Sequence, residues 1–175
     1  MTLYIRCGLV FILSMGLCAS VLSHDGEVKI TGTIQDNTCE LAPDSQKNFI
    51  PMGKVAKSQF TEVGDFVPAK SFSLSLQNCG PAASEATVTF SGTPDEKNNK
   101  LFALNELPDS ATGLALGIYD ANGMRIAPGE TSKGVALQPG QTAVKLWFAA
   151  RYESVEESVT AGKAVVTVTF IVNYG

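Results

Sequence analysis

The last fourteen residues, Gly162 to Gly175, constrain the fold more than any other stretch of the chain. Val166, Val168, Phe170, Val172 and Tyr174 share one face of a period-two pattern, and Val165, Thr167, Thr169, Ile171 and Asn173 share the other. Successive side chains of an extended chain point to opposite faces, so the pattern predicts a strand, and both faces are rich in β-formers. A strand that carries an apolar face to the chain end, with no tail to cover it, leaves one edge in need of a partner. What pairs with that edge is the functional question.

A second alternating stretch lies near the other end, where Gly26, Val28, Ile30, Gly32 and Ile34 interleave with Glu27, Lys29, Thr31, Thr33 and Gln35. It is either an ordinary first strand or an arm. Glycine weakens a strand, so Gly32 marks a bulge or a place where something large must fit opposite.

Further strands are expected over Lys70 to Asn78, Ala86 to Ser91, and Ala143 to Tyr152, the last with Val144, Leu146, Phe148, Ala150 and Tyr152 on one face. Gly113 to Ala121 and Met124 to Ala127 flank Asn122-Gly123, which predicts a two-residue hairpin turn. Residues 41–70, punctuated by Pro and Gly, read as loops and strand fragments, and Leu101 to Leu104 as a strand or a helical turn. Glu153, Glu156 and Glu157 mark an exposed, solvated loop, and Trp147, the sole Trp, on the face opposite Leu146 and Phe148, is either a surface contact or, as is commoner for a lone Trp, a packing residue. Short strands, turn signals and no helical period predict one all-β sandwich domain without internal repeats.

Residues 1–23 read as a cleaved secretory signal: Arg6 precedes an apolar run, Gly8 to Leu22, that is broken by Ser14, Gly16 and Ser20 and is too short for a spanning helix. The cleavage bond falls between Ala19 and His24. Removing Arg6 leaves 12 basic residues (13 − 1) against 17 acidic ones, a mature net charge of −5, which disfavours nucleic acid as a partner. Cys7 and Cys18 leave with the signal, and in an oxidising compartment Cys39 and Cys79 most simply form one disulfide, the alternative being two free buried thiols. Closing a loop of roughly 40 residues contributes about 4 kcal/mol in the chain-entropy model. Enzyme chemistry has no convergent site here, since His24 is the only imidazole and no phosphate-cradling or metal motif occurs; no cofactor and no metal are expected.

The alternating N-terminus with Gly32, the Cys39 and Cys79 pair, Leu114-Ala115-Leu116-Gly117-Ile118, Phe148-Ala149-Ala150-Arg151-Tyr152 and the C-terminal strand together resemble pilin subunits of chaperone/usher fimbriae, the type 1 class in particular. That family carries a glycine fourteenth from the end and a penultimate tyrosine, here Gly162 and Tyr174, whereas the final Gly175 departs from the polar residue commoner there. The resemblance implies an incomplete immunoglobulin-like sandwich that lacks its seventh strand, leaving a groove along Gly162, Val166, Val168, Phe170, Val172 and Tyr174. A periplasmic chaperone would fill the groove first. At the outer-membrane usher the arm of a neighbouring subunit would then replace it, with Val28, Ile30, Gly32 and Ile34 as this chain's own donor residues in a head-to-tail polymer on the cell surface. The implied division is signal 1–23, arm 24–36 and pilin domain 37–175. The Asp36-Asn37-Thr38-Cys39 approach and the Gly113 to Ile118 region look more like a minor adaptor than a major rod pilin, and the chain has no room for the lectin domain of a two-domain adhesin.

Overall fold

The computed structural model describes residues 28–175; the signal, its cleavage bond and residues 24–27 of the arm lie outside the described residues. Among the described residues, nine strands and one short helix follow in order: β1 (Glu40–Leu41), α1 (Pro43–Gln46), β2 (Lys70–Gln77), β3 (Glu85–Ser91), β4 (Phe102–Ala103), β5 (Leu114–Asp120), β6 (Arg125–Ile126), β7 (Val135–Ala136), β8 (Ala143–Ser154) and β9 (Thr169–Tyr174). They form two antiparallel sheets, one ordered β1-β2-β8-β5-β4 with β6 also on β5, the other ordered β7-β3-β9. The expected all-β sandwich is what the chain adopts, with α1 and a 3-10 turn at Lys57–Gln59 as its only helical pieces among the described residues.

The period-two pattern sets the register. β8 pairs with β2 from Ala143↔Gln77 to Ala150↔Lys70 and with β5 from Phe148↔Asp120 to Ser154↔Leu114, so its even-numbered residues meet those of both neighbours. Leu146, Phe148, Ala150 and Tyr152 are buried, as the alternation requires. Four phenylalanines lock the sheets together: Phe72 (β2) and Phe148 (β8) face Phe90 (β3), with ring centroids 6.3 and 5.0 Å from Phe90, and Phe170 (β9) lies 6.3 Å from it. Edge-to-face contacts of this kind add about 0.5–1.5 kcal/mol beyond burial.

Cys39 and Cys79 form the disulfide, which ties the residue before β1 to the end of β2. The chain divides after Ile34, and the Gln35–Gly175 unit begins firmly at Asp36, whose carbonyl accepts a hydrogen bond from the Ala82 amide at 3.0 Å.

Four expectations change. The segment 28–34 forms no strand, because no ladder partner lies alongside it among the described residues, and a lone strand has nothing to satisfy its backbone. The regular part of the C-terminal strand is Thr169–Tyr174, not the whole of 162–175. Residues 163–167 are instead held by 105–111, through Lys163 N to Asp109 O (2.7 Å), Ala111 N to Lys163 O (2.9 Å) and Asn105 N to Val165 O (2.7 Å). The hairpin between β5 and β6 uses three residues, with Asp120 N donating to Met124 O and a positive φ at Gly123 alone, while the Asp120 carboxylate accepts from the Asn122 and Met124 amides. Trp147 is half exposed (51%), since it sits on the odd-numbered, outward face of β8 opposite Ser73.

Candidate functional site

β9 is joined to β3 on one side only, so the other side of the strand has no ladder among the described residues. Its alternation is intact: Phe170, Val172 and Tyr174 turn inward and Thr169, Ile171 and Asn173 outward, yet none of the six is buried and the inward three are only half covered. Val166 and Val168 continue the inward row and pack, with Phe170, Val172 and Tyr174, against the core cluster.

Beside this row runs a groove of about 920 Å³. Gly162, Val166, Val168 and Phe170 line it; Val172 and Tyr174 do not. Its floor comes from both sheets, with Leu74, Phe90, Leu116 and Ile118 among the contributors. The wall opposite β9 is the stretch from Gln46 to Phe60, including Ile50, Met52 and Val55. That second wall escaped the sequence reading because its apolar residues are spaced irregularly among Pro and Gly; the only signal was that Phe49-Ile50, Met52, Val55 and Phe60 are too apolar for a merely solvated loop.

Each end of the β9 row is fixed. Tyr174 donates its hydroxyl to the Cys39 carbonyl at 3.0 Å, so the end of the strand is tied to the disulfide-bonded segment, and burial pushes the phenol's pKa up. Ser84 N and Ser84 Oγ both donate to Gly175 O, at 3.1 and 3.0 Å. At the far end Tyr152, its pKa raised by burial, donates to Ala164 O at 2.6 Å. Gly162 sits against the backbone of Asp109 to Ala111; an added Cβ would lie 2.5 Å from Ser110 C and 2.7 Å from Asp109 O. Only glycine permits that close approach.

In the 28–34 segment Val28, Ile30 and Ile34 are 85, 90 and 101% exposed, and a Cβ added at Gly32 would point into open space, with no heavy atom within 4 Å. These three are exposed apolar side chains, all at even-numbered positions of the sequence.

On the outer face of the larger sheet lies a cluster the sequence concealed. Glu153 belongs to β8 and is 4% exposed, which corrects its assignment to an exposed acidic loop; Glu156 and Glu157 are exposed as expected. Its carboxylate accepts from Arg125 Nη2 (2.7 Å), Arg151 Nε (3.0 Å) and the Tyr119 hydroxyl, while Tyr119 Oη in turn accepts from both arginines and the Phe66 ring stacks 3.8 Å over the Arg151 guanidinium. Burial, then the bond to Glu153, pushes the Tyr119 phenol up, so it stays protonated as a donor. The signal available was phase: Glu153 continues the odd-numbered row Lys145, Trp147, Ala149, Arg151. Every member has hydrogen-bond partners, and none of them lines the groove beside β9.

The comparisons decide the family. The fimbrial protein family matches residues 28–175, a span that takes in both the 28–34 segment and the groove unit. The chain belongs to the fimbrial protein family. It is 37% identical over 163 residues to the probable major fimbrial subunit LpfA of Escherichia coli O157:H7, covering 93% of this chain and 90% of that one. It is 36% identical over 166 residues to the fimbrial-like protein YcbV of Escherichia coli K12, covering 95% of each. The fold is that of chaperone–usher pilins: the P pilus rod subunit PapA superposes with a TM-score of 0.65 at 21% identity, over 78% of this chain and 99% of that one. Homologues of this pilin are structural fimbrial subunits rather than enzymes.

Proposed function

We propose that this pilin is a structural subunit of a surface fimbrium that polymerises by donor-strand exchange. The observation that carries the reading is the half-covered inward row of β9 beside a groove of about 920 Å³, in a chain whose residues 28, 30 and 34 are apolar and exposed. An extended segment laid along β9 would pair with the strand's free edge and place alternate side chains on the apolar floor, which is strand addition. Gly162, Val166, Val168, Phe170, Val172 and Tyr174 form the acceptor side, and Val28, Ile30, Gly32 and Ile34 the donor side of the arm 24–36. The pilin domain is 37–175. Because donor and acceptor are different surfaces, the contact repeats head to tail and builds an open fibre. A periplasmic chaperone occupies the groove after the signal 1–23 is removed, and an outer-membrane usher exchanges it for a neighbour's arm.

Within the fibre we assign the chain to a minor adaptor position, on the sequence around Asp36 to Cys39 and Gly113 to Ile118. The rod is the second reading, favoured by the 37% identity to a probable major subunit. Subunit counting by quantitative mass spectrometry of sheared fimbriae separates them: a few copies per fibre supports the adaptor, a majority the rod. Deleting residues 24–35 tests the joint itself. The truncated chain is expected to bind its chaperone and to fail to join the subunit ahead; incorporation as efficient as that of the full chain would overturn the arm assignment.

A further inference from the structure

We infer that the groove selects an incoming strand whose outward-facing positions are acidic, by means of a lysine rim. This rests on the groove being an acceptor for another subunit's arm. The residues lining the groove include Lys47, Lys54, Lys57 and Lys163 and no aspartate or glutamate. The bias runs against the composition, since the whole chain holds 17 acidic and 13 basic residues for a net charge of −4. All four lysines are exposed. Lys163 is already paired, with Nζ 2.8 Å from Asp109 Oδ2, whereas Lys47, Lys54 and Lys57 have no ion-pair partner among the described residues.

A strand seated in the groove points alternate side chains at the apolar floor and the others outward to the rim. Lysine suits a rim, because its methylene stem covers apolar surface while the ammonium stays in water. Exposed charges add little to affinity, but an unopposed set of one sign speeds the encounter with a partner of the other sign and repels one of the same sign. The occupant with the matching chemistry is an arm of a fimbrial subunit that alternates apolar and acidic residues. This chain's own arm has only a weak form of that bias: its odd-numbered row, opposite Val28 and Ile30, carries Asp25 and Glu27 against Lys29, a net of −2 + 1 = −1, with Thr31, Thr33 and Gln35 uncharged, whereas Asp36 falls in the even-numbered row.

The test uses the mature full-length chain and three fluorescent peptides that share the apolar positions of Val28 to Ile34 and carry only Glu, only Gln or only Lys at the alternate positions. Stopped-flow anisotropy at low salt is expected to show the Glu peptide associating about tenfold faster than the Lys peptide, with Gln between them. The difference should collapse near 1 M salt, where the screening length falls to about 3 Å. Lys47→Glu/Lys54→Glu/Lys57→Glu should reverse the order, and the corresponding triple Gln variant should flatten it. Equal rates for all three peptides, or a faster Lys peptide, overturn selection by charge while leaving the groove an acceptor; no binding by any peptide overturns both.

Discussion

β5 and β9 are both written in strand-forming residues, and they end in opposite surroundings. All seven residues of β5 are buried, whereas β9 has none buried and alternates exposed with half-covered. β5 lies between β8 and the β4 and β6 strands, and its outer face is closed by the Tyr119, Arg125, Arg151 and Glu153 cluster, which fits so closely that a Cβ on Gly117 would lie 2.7 Å from Glu153 Oε1. β9 has β3 alone. Alternation decides which side chains face the core; the number of neighbouring strands decides how far they are covered. A finished strand and an unfinished one can therefore share one pattern.

The widest separation between the enclosed sheet that holds β5 and the edge strand β9 should come from the same truncation made in β8, the neighbour of β5, and in β9. Phe148→Ala in β8, where Phe148 is 5% exposed, should cost about 3–5 kcal/mol in denaturant melts. Phe170→Ala in β9 should cost the free chain only about 1–2 kcal/mol, because less apolar area is lost from a half-covered ring. Equal costs would mean that β9 is as enclosed as β8.

The glycines give a second contrast. Gly162→Ala drives a methyl into the backbone of Asp109 to Ala111 and should lower stability by about 1–3 kcal/mol, while Gly32→Ala meets nothing within 4 Å and should leave the melting temperature of the free chain unchanged.

A smaller effect tests the anchoring of the groove's far end. Tyr152→Phe removes the bond to Ala164 O and should cost about 1 kcal/mol. Burial raises the Tyr152 pKa, so the folded chain keeps a proton that the unfolded chain releases above about pH 10. Its stabilising contribution is full below that pH and is lost as pH rises through the folded value. Tyr152→Phe should therefore soften the alkaline fall in melting temperature, leaving the part due to Tyr119 and Tyr174, which are shifted the same way.

Much of this was legible in the chain because its rules are local. The even-numbered row of β8, the inward row from Val166 to Tyr174 and the Cys39 to Cys79 bridge follow from period two and from cysteine count. What was not legible depends on neighbours distant in sequence. No pattern in Val172 says whether a strand lies across from it; the wall from Gln46 to Phe60 is irregular; and Glu153 looks like its exposed neighbours Glu156 and Glu157 until Arg125, 28 residues away, is brought 2.7 Å from it. Asn122-Gly123 marks the hairpin but not its length, because the Asp120 carboxylate, which accepts from the Asn122 and Met124 amides, holds a three-residue loop where the dipeptide alone predicts a two-residue turn.

The central claim is that β9 has an unpaired edge that a neighbour's arm completes. Amide hydrogen exchange over residues 164–174, read with and without a peptide matching this arm's Val28 to Ile34, tests it most directly, because a strand paired on one side leaves half of its amides without a partner. The account predicts an alternating pattern in the free chain, with every second amide exchanging fast, and strong protection of those amides once the peptide is bound. Uniform protection of residues 169–174 in the free chain, unchanged by the peptide, would contradict it.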